Sequence, residues 1–238
     1  MGIKPPSGAH TPREGQFLTL EELRALREAC GDPYGDLVTF LGLSGVRWGE
    51  ATGLQVGDLT TTPGPGVRLQ RAVLSSRADG TVFVDSLKNK RSRTVPLVPE
   101  LVPLVRRWAA GKTKDAWLFS APKGGPLNEG NWKRAVRWEE ATKAIGRPGL
   151  RVHDLRHTAA SLWLAAGADP KVVQRILGHG SAAMTLDLYG HLVDRNLWEA
   201  AQRVGEITES GHKGGGTSGA HPRDPPSGGA PGSPETLF

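Results

Sequence analysis

The period of the apolar residues changes in the middle of this chain, and this change constrains the fold more than any other feature. On both sides of residues 67–97, apolar residues recur at the three- and four-residue spacing of amphipathic helices. Within them, short β-branched or alternating runs predict strands over Val67–Leu74, Thr81–Asp85 and Arg93–Leu97. We therefore expect an α+β, mainly helical fold with a small three-stranded antiparallel sheet, built as a meander.

Helix start and stop signals predict the remaining elements. Thr19 is the predicted N-cap of a first helix, which ends at Gly31 and carries Leu23, Leu26 and Ala29 on one face. Four further helices are predicted over whole ranges: Tyr34–Leu43, Leu101–Trp108, from Asn128 or Asn131 to Ile145, and His191–Val204. Four more are predicted from their start signals: after a Ser44 cap, after an Asp154 cap, at Asp169-Pro170 with an end at Gly178, and at Ser181.

Both ends of the chain lack an apolar period. Residues 1–16 are polar and rich in Gly and Pro, which predicts a flexible segment. In residues 210–238, 17 of 29 residues are Gly, Pro or Ser, which predicts a disordered tail. One folded domain is therefore expected over residues 17–209.

Positive charge is concentrated in the middle of the chain. Residues 88–156 hold 16 Lys and Arg against 6 Asp and Glu, whereas residues 1–87 and 157–238 each have a net charge of −2. This distribution is typical of a protein that binds a polyanion, although a solvated basic surface without a partner gives the same pattern. Cys30 is the only cysteine, which excludes an intrachain disulfide and a multi-cysteine metal site. With no long apolar run and no secretory signal, we expect a soluble, cytoplasmic protein.

Residues that can bind a phosphate, move its protons or attack it are concentrated between His153 and Tyr189. His153 and Arg156 lie three residues apart at a predicted helix start, so both can face one anion there. His157 and His153 have the spacing of a two-histidine metal site, but no Cys, Asp or Glu set completes a ligand shell. A buried, hydrogen-bonded histidine is therefore the preferred interpretation of His157, and no metal is expected.

Two further groups of charged residues have both a functional and a plain structural interpretation. Glu50 lies three residues after Arg47, where it can hold the guanidinium in place, although an exposed helical ion pair is the commoner explanation of this spacing taken alone. Candidate DNA contacts are Lys90, Arg91 and Arg93 on a basic β-turn that starts at Lys88, and Lys133, Arg134 and Arg137 on a helix. A solvated turn and a solvated helix face are the alternatives.

Five sequence motifs occur together in a fixed order and spacing, and the combination is highly specific for one protein family. They are Ser44-Gly45-Val46-Arg47-Trp48-Gly49-Glu50, Lys88 before Arg93-Thr94-Val95-Pro96-Leu97, His153-Asp154-Leu155-Arg156-His157, Leu177-Gly178-His179 and Leu188-Tyr189. In order, residue type and spacing they resemble the tyrosine recombinase (phage integrase) family over roughly residues 17–205. The resemblance implies the catalytic fold of that family.

The resemblance also implies roles in breaking a DNA phosphodiester. Arg47 and Arg156 would clamp the scissile phosphate, with a further hydrogen bond from His179. Lys88 would act as the general acid for the 5′-oxygen. Glu50 resembles the acidic residue that supports the site in this family.

Two residues would act at the attacking side of the phosphate. Tyr189 would be the nucleophile and give a 3′-phosphotyrosyl intermediate, while His153 would assist the proton transfer. A covalent intermediate of this kind conserves the phosphodiester bond energy, so neither metal nor ATP is implied.

The resemblance therefore predicts a site-specific DNA recombinase that acts as a homotetramer on double-stranded DNA. Members of this family usually carry a separate core-binding domain, which the 16 residues before the first helix do not supply. We expect an isolated catalytic domain, a truncated gene, or a protein that works with a separate core-binding domain or accessory protein. A type IB topoisomerase-like enzyme and a DNA-binding remnant that does not cut are the alternatives. A helix-turn-helix regulator built on residues 169–189 leaves Arg47 and Lys88 unexplained.

Overall fold

The computed structural model describes residues 16–75, 82–86, 92–178, 201–202 and 204–206. The helices are α1 (Leu20–Cys30), α2 (Asp36–Ser44), α3 (Trp48–Thr52), α4 (Leu101–Ala109), α5 (Glu129–Ala135), α6 (Trp138–Ala144), α7 (Asp154–Ala165) and α8 (Pro170–Leu177). The strands are β1 (Leu59–Thr60), β2 (Gly66–Leu69), β3 (Arg71–Ser75), β4 (Val82–Ser86) and β5 (Arg93–Pro96). The predicted fold class, mainly helical with a small antiparallel sheet, is confirmed.

The strands form two sheets, and the predicted meander is wrong. The first sheet has the order β1-β2-β5 and the second pairs β3 with β4, all antiparallel. The run predicted as one strand over Val67–Leu74 divides at Gln70, whose Nε2 donates a hydrogen bond of 2.9 Å to the buried carboxylate of Asp58. The next residue, Arg71, also pairs with Asp58. These bonds lie where the chain passes from one sheet to the other. Strand β5 pairs with β2 and not with β4.

Helix α1 begins as its sequence predicts. The side chain of Thr19 accepts a hydrogen bond from the backbone N–H of Glu22, whose carboxylate in turn accepts one from the N–H of Thr19. The buried face differs at one position from the prediction. Cys30 is buried and Ala29 is exposed, because the helix turns its last buried position four residues beyond Leu26.

Ser44 ends α2 and does not cap the following helix as predicted. Its side chain is fully buried, and the hydroxyl donates a hydrogen bond of 2.6 Å to the carbonyl of Phe40 one turn earlier. Arg47 instead occupies the N-cap position of α3, with an extended backbone.

The helix predicted from Asn128 or Asn131 to Ile145 is divided into α5 and α6. Asn128 is the N-cap and accepts a hydrogen bond of 3.1 Å from the N–H of Asn131. The break falls at Arg137, which has a left-handed φ of 47°. Beyond it Trp138 is buried, packs against Trp132 at a ring-centroid distance of 5.3 Å, and donates a hydrogen bond to the carbonyl of Leu150. The break therefore turns a second tryptophan into the core.

The core lies between α1, α2, α4, the three-stranded sheet and α7. A second, smaller cluster of buried residues, made of Ala160, Leu164, Val173 and Leu177, joins α7 to α8. The indole Nε1 of Trp163 donates a hydrogen bond of 2.9 Å to the carbonyl of Leu43 near the end of α2. Helix α7 is thereby fixed against the end of α2 that leads into the Arg47 motif.

Several predictions lie outside the described residues: the helix from Ser181, the tail, and the N-terminal segment apart from Gln16. Of the helix predicted over His191–Val204, residues 201, 202 and 204 are described and helical, and the helical state continues to residue 206. Within the described part of the chain, every helix is too short or too polar to cross a bilayer.

Candidate functional site

The turn between α2 and α3 is the foundation of the site. Gly45 has a left-handed φ of 69°, and a Cβ at this position would lie 2.6 Å from Cδ2 of Leu177 and 3.2 Å from Cβ of Ala159. Both the backbone conformation and the lack of space therefore require glycine. This close approach brings the Arg47 motif against α7 and α8.

Arg156 of α7 contacts the same turn. Its side chain is buried, and Nη1 donates a hydrogen bond of 2.7 Å to the carbonyl of Gly45. The bond joins residues 111 positions apart and ends two residues before Arg47. The structure thus brings together the elements that carry the two arginines predicted to bind phosphate.

The carboxylate of Glu50 organises the arginines of the site. Oε1 accepts hydrogen bonds from Nη1 of Arg47 at 3.0 Å and from Nη1 of Arg93 at 2.8 Å. Oε2 accepts one from the backbone N–H of Arg47 at 2.9 Å and one from Nη2 of Arg93 at 2.9 Å. The predicted pairing of Arg47 with Glu50 is present, but Glu50 is only 4% exposed. The exposed surface pair that we considered as an alternative is therefore wrong.

The environment of Glu50 has opposing effects on its pKa. Burial raises the pKa of the carboxyl, while the hydrogen bonds and positive charge of Arg93, followed by those of Arg47, lower it. The cations prevail, and the pKa lies below its ordinary value of 4.5. Glu50 is therefore ionised at neutral pH and supplies a fixed negative charge between two guanidinium groups.

Arg93 has different contacts from those that the sequence suggested. We predicted it as a DNA contact on a basic turn, but only 13% of its side chain is exposed and its fork is bidentate to Glu50. Its Nε donates a hydrogen bond of 2.8 Å to the carbonyl of Ile176 in α8. The guanidinium thus lies between α3 and α8.

Gly178 completes this contact at the C-terminal end of α8. It has a left-handed φ of 67°, and an added Cβ would lie 2.8 Å from Cζ of Arg93. Its carbonyl accepts a hydrogen bond of 3.4 Å from Nη2 of Arg47. The next residue in the chain is His179, so the end of α8 joins both arginines to the beginning of the last predicted motifs.

His153 and His157 lie at the start of α7 with their rings edge to face and their centroids 5.4 Å apart. Loss of hydration lowers the pKa of both imidazoles, and the neighbouring His157 and Arg156 lower the pKa of His153 further. Both rings are therefore neutral at pH 7. Among the described residues, no group of three or more His, Cys, Asp or Glu side chains has the geometry to hold a metal ion.

Asp154 follows His153 and is not the N-cap that we predicted. The N-cap is His153, and Asp154 is the first residue of the helix. The buried carboxylate accepts hydrogen bonds from the backbone N–H of Arg151 at 2.8 Å and from its Nη2 at 2.7 Å. Asp154 therefore fixes the loop that leads into the His153 motif.

A basic pocket of about 580 Å³ lies beside this loop, between α5, α6 and Arg151. Its lining has five cations, Lys133, Arg134, Arg137, Lys143 and Arg151, and two carboxylates, Glu139 and Glu140. Lys133 pairs with Glu129 at 2.6 Å and Arg134 with Asn131, while Arg137 is exposed at the break between the helices. The three helix cations that we predicted to contact DNA thus line one concave surface.

The remaining predicted residues lie outside the described part of the chain. They are Lys88, Lys90, Arg91, His179 and Tyr189. The sequence did not lead us to two contacts within the described site, the close approach at Gly45 and the pairing of Arg93 with Glu50. The glycine of the Ser-Gly-Val-Arg turn could have indicated the left-handed backbone at Gly45, whereas nothing in the sequence indicates that Arg93 faces Glu50.

Comparison with known proteins identifies the family. The model of the phage integrase family matches residues 16–196 of the 238. The chain belongs to the phage integrase family. In this integrase-family chain, Arg156 is bonded to the Gly45 turn, and Glu50 holds Arg47 two residues after that turn.

Similar proteins bear integrase and recombinase names. The chain is 29% identical to a putative prophage phiRv2 integrase of Mycobacterium tuberculosis over 86% of its own length and 55% of that protein. It is 31% identical to the tyrosine recombinase XerD of Corynebacterium glutamicum over 84% of its own length and 64% of that protein. The chain therefore spans about half the length of the curated integrases that it matches.

Solved structures of recombinases share the fold. The Tn1549 transposon integrase in complex with circular intermediate DNA matches with a TM-score of 0.65 and 22% identity, over 80% of this chain and 67% of that one. XerA recombinase matches with a TM-score of 0.57 and 24% identity, over 84% of this chain and 66% of that one.

Proposed function

We propose that this integrase-family chain is the catalytic domain of a site-specific DNA recombinase, which cuts and rejoins DNA through a 3′-phosphotyrosyl intermediate. The observation that carries the proposal is that the elements carrying Arg47 and Arg156 meet at the Gly45 turn. Arg156 is bonded to Gly45 and Arg47 is held by Glu50, although the two arginines lie 109 positions apart in the chain. Guanidinium groups held in this way suit a phosphate, because they bind its oxygens bidentately and retain their charge.

The arginines would bind and stabilise the reacting phosphate. Arg47 keeps 44% of its side chain exposed although Glu50 fixes its position, so it is accessible to a DNA backbone. Since Glu50 preorganises Arg47, this arginine can stabilise negative charge on a non-bridging oxygen, and Arg156 is proposed to bind the same phosphate from a buried position.

The bond changes require a nucleophile, a proton acceptor and a proton donor. In this proposal the Tyr189 oxygen attacks the phosphorus as its proton leaves, and the neutral ring of His153 assists that transfer. The bond from phosphorus to the 5′-oxygen breaks, and Lys88 protonates the leaving oxygen. The reverse sequence, with a 5′-hydroxyl as nucleophile, rejoins the strand, so neither ATP nor a metal enters the balance.

Double-stranded DNA is the proposed partner. Lys133, Arg134 and Arg137 would contact its phosphates through the basic pocket, and the DNA complex of the Tn1549 integrase supports this choice of ligand. Lys90 and Arg91 would extend the same contact. We further propose a homotetramer on DNA, assisted by a core-binding domain or an accessory protein, and acting in the cytoplasm.

Covalent trapping tests the activity. The chain is mixed with a pool of nicked duplexes whose central sequence is randomised, and adducts that survive SDS are recovered and sequenced. A nick next to the cleavage site releases the short 5′-end, which traps the phosphotyrosyl intermediate. We expect an adduct with the wild-type chain and none with Tyr189→Phe, while both variants bind an arbitrary duplex equally.

Other outcomes distinguish the alternatives. Salt-sensitive DNA binding with no adduct from any duplex in the pool identifies a non-cutting remnant. Relaxation of supercoiled plasmid without sequence preference or strand exchange identifies a topoisomerase-like enzyme. An adduct that persists in Tyr189→Phe excludes Tyr189 as the nucleophile.

A further inference from the structure

Arg93 is hydrogen-bonded within the proposed site, whereas a residue of a basic turn that contacts DNA would face solvent. It is the first residue of β5, five positions after Lys88 in the chain. Its three donor nitrogens are all used within the protein, two by Glu50 and one by the carbonyl of Ile176. The guanidinium therefore connects β5 to α3 and to the end of α8.

These contacts join the separate parts of the proposed site. Glu50 is the residue that also holds Arg47, through both its side chain and its backbone N–H. The end of α8 is the point at which Gly178 contacts both Arg93 and Arg47, one residue before His179. A shift of the Arg93 guanidinium would therefore disturb the Glu50 carboxylate and the Gly178 turn together.

We infer that Arg93 is a positioning residue of the recombination site, which fixes Arg47 through Glu50 and the turn before His179 through Ile176 and Gly178, and does not contact DNA. This inference rests on the proposed function. It replaces the DNA contact that the basic turn suggested. It also explains the glycine at position 178, because any Cβ there would lie within 2.9 Å of the arginine fork.

The Arg93→Lys variant distinguishes a positioning role of Arg93 from a contact with DNA. Arg93→Lys keeps the positive charge, but an ammonium cannot reproduce a bidentate fork together with the Nε bond. We expect the single-turnover cleavage rate at saturating DNA to fall by about 100-fold, because a displacement of about 1 Å at reacting groups has an effect of this size. The concentration of DNA that gives half-saturation should stay within about twofold, since the phosphate contacts remain.

The salt dependence of binding is the decisive measurement. Binding of a duplex of arbitrary sequence is measured from low to high salt for wild type, Arg93→Gln and Arg137→Ala. Loss of a phosphate contact reduces the slope of log affinity against log salt by about 1. We expect that reduction for Arg137→Ala and an unchanged slope for Arg93→Gln. A reduced slope in Arg93→Gln overturns the inference.

A matched variant controls for loss of stability. Arg71 is also a partly buried arginine on a buried carboxylate, but it pairs with Asp58 and contacts neither Glu50 nor Gly178 through any bond of its side chain. Arg71→Lys should lower the melting temperature about as much as Arg93→Lys and leave the cleavage rate of the folded protein within about threefold of wild type. Equal losses of cleavage in the two variants would make Arg93 a structural residue only and would overturn the inference.

Gly178→Ala provides an independent approach if Arg93→Lys does not fold. The new methyl group displaces the guanidinium without removing its charge, so cleavage should fall while the salt slope stays unchanged. Full cleavage by folded Gly178→Ala contradicts the inference. The wild-type chain distinguishes this result from failure of the proposed function, because absence of a wild-type adduct refutes recombination whatever Arg93 does. In that case the salt slope still decides whether Arg93 contacts DNA.

Discussion

Asp36 and Glu50 are both almost completely buried, and each carboxylate accepts hydrogen bonds from two arginine side chains. Asp36 is the first residue of α2 and binds Arg27 of α1 at 3.1 Å. From α4 it accepts hydrogen bonds from Arg107 at 3.1 Å and from the indole Nε1 of Trp108 at 3.0 Å. This carboxylate joins three helices to one another.

The arginines around Glu50 differ from those around Asp36 in their further contacts. The exposures of the two pairs overlap: the side chains of Arg93 and Arg47 are 13% and 44% exposed, and those of Arg27 and Arg107 are 29% and 61% exposed. Arg47 and Arg93 also reach the last turn of α8, but Arg107 leads to solvent. A buried carboxylate with two arginines thus serves helix packing at Asp36 and the geometry of the proposed site at Glu50, and the bonds of both Glu50 arginines to the end of α8 distinguish the two.

Removal of the charge at Glu50 should have the largest effect. Glu50→Gln leaves the nearly buried guanidinium of Arg93 without a counter-charge, and breaking a buried pair in this way costs about 3–5 kcal/mol of unfolding free energy. Cleavage by the folded fraction should fall by about 100-fold, since Arg47 loses its support. Urea unfolding and single-turnover cleavage measure the two quantities. Wild-type cleavage by a destabilised Glu50→Gln protein would show that Glu50 serves stability alone, as Asp36 does.

A side chain at Gly45 should have the next largest effect, because it disturbs the turn on which the Glu50 cluster rests. Gly45→Ala forces a left-handed alanine and a contact of 2.6 Å with Leu177, which together cost about 2–4 kcal/mol. Thermal unfolding checks this value. Gly64→Ala is the control, because a Cβ there meets no atom within 4 Å, and its stability should stay within about 0.5 kcal/mol of wild type.

Asp36→Asn should have a smaller effect and only on stability. The two arginines can turn towards water once the carboxylate is neutralised, so we expect a loss of about 1–3 kcal/mol. Cleavage measured well below the melting temperature should match wild type. A cleavage defect as large as that of Glu50→Gln would remove the distinction between the two clusters.

A mildly acidic pH should have the smallest effect on the free energy of unfolding, and Glu50 should be protonated only after the two histidines. The pKa values of His153 and His157 lie below their ordinary value of 6.5 in the folded protein, so the unfolded chain binds protons first as the pH falls. Their contribution to stability is complete above pH 6.5 and is lost as the pH falls towards the folded-state pKa. The contribution of Glu50 to stability is also lost as the pH falls, but only below its ordinary pKa of 4.5.

Unfolding free energies between pH 8 and pH 5 test this order. The wild-type value should decline below pH 6.5, and a His153→Asn, His157→Gln double variant should show a flatter profile over the same interval. A profile of the double variant that is as steep as wild type would assign the decline to other groups.

Local signals in the sequence predicted α1 and the fold class, because a capping box and a hydrophobic period act over a few residues. The division at Gln70 was not predictable in this way, since one polar residue does not interrupt a strand pattern and its bond to Asp58 is a tertiary contact. The same limit applies to Arg93, whose partner Glu50 lies 43 positions away. The motif residues themselves were predicted from the resemblance to the tyrosine recombinase family, whereas the contacts of Glu50 and Gly45 with them required the structure.

The joint at Gln70 has a practical consequence for redesign of the protein. Strands β3 and β4 share no ladder hydrogen bond with the three-stranded sheet among the residues that the structure describes. Leu74, Phe83 and Val84 of this hairpin are 40–50% exposed. Polar replacements at these positions should improve solubility and leave the register of β5 unchanged, provided that Gln70 and Arg71 are kept. Only the exposed face of the two strands can be redesigned in this way, because β3 packs on α3, where a Cβ at Gly49 would lie 2.5 Å from the carbonyl oxygen of Val73.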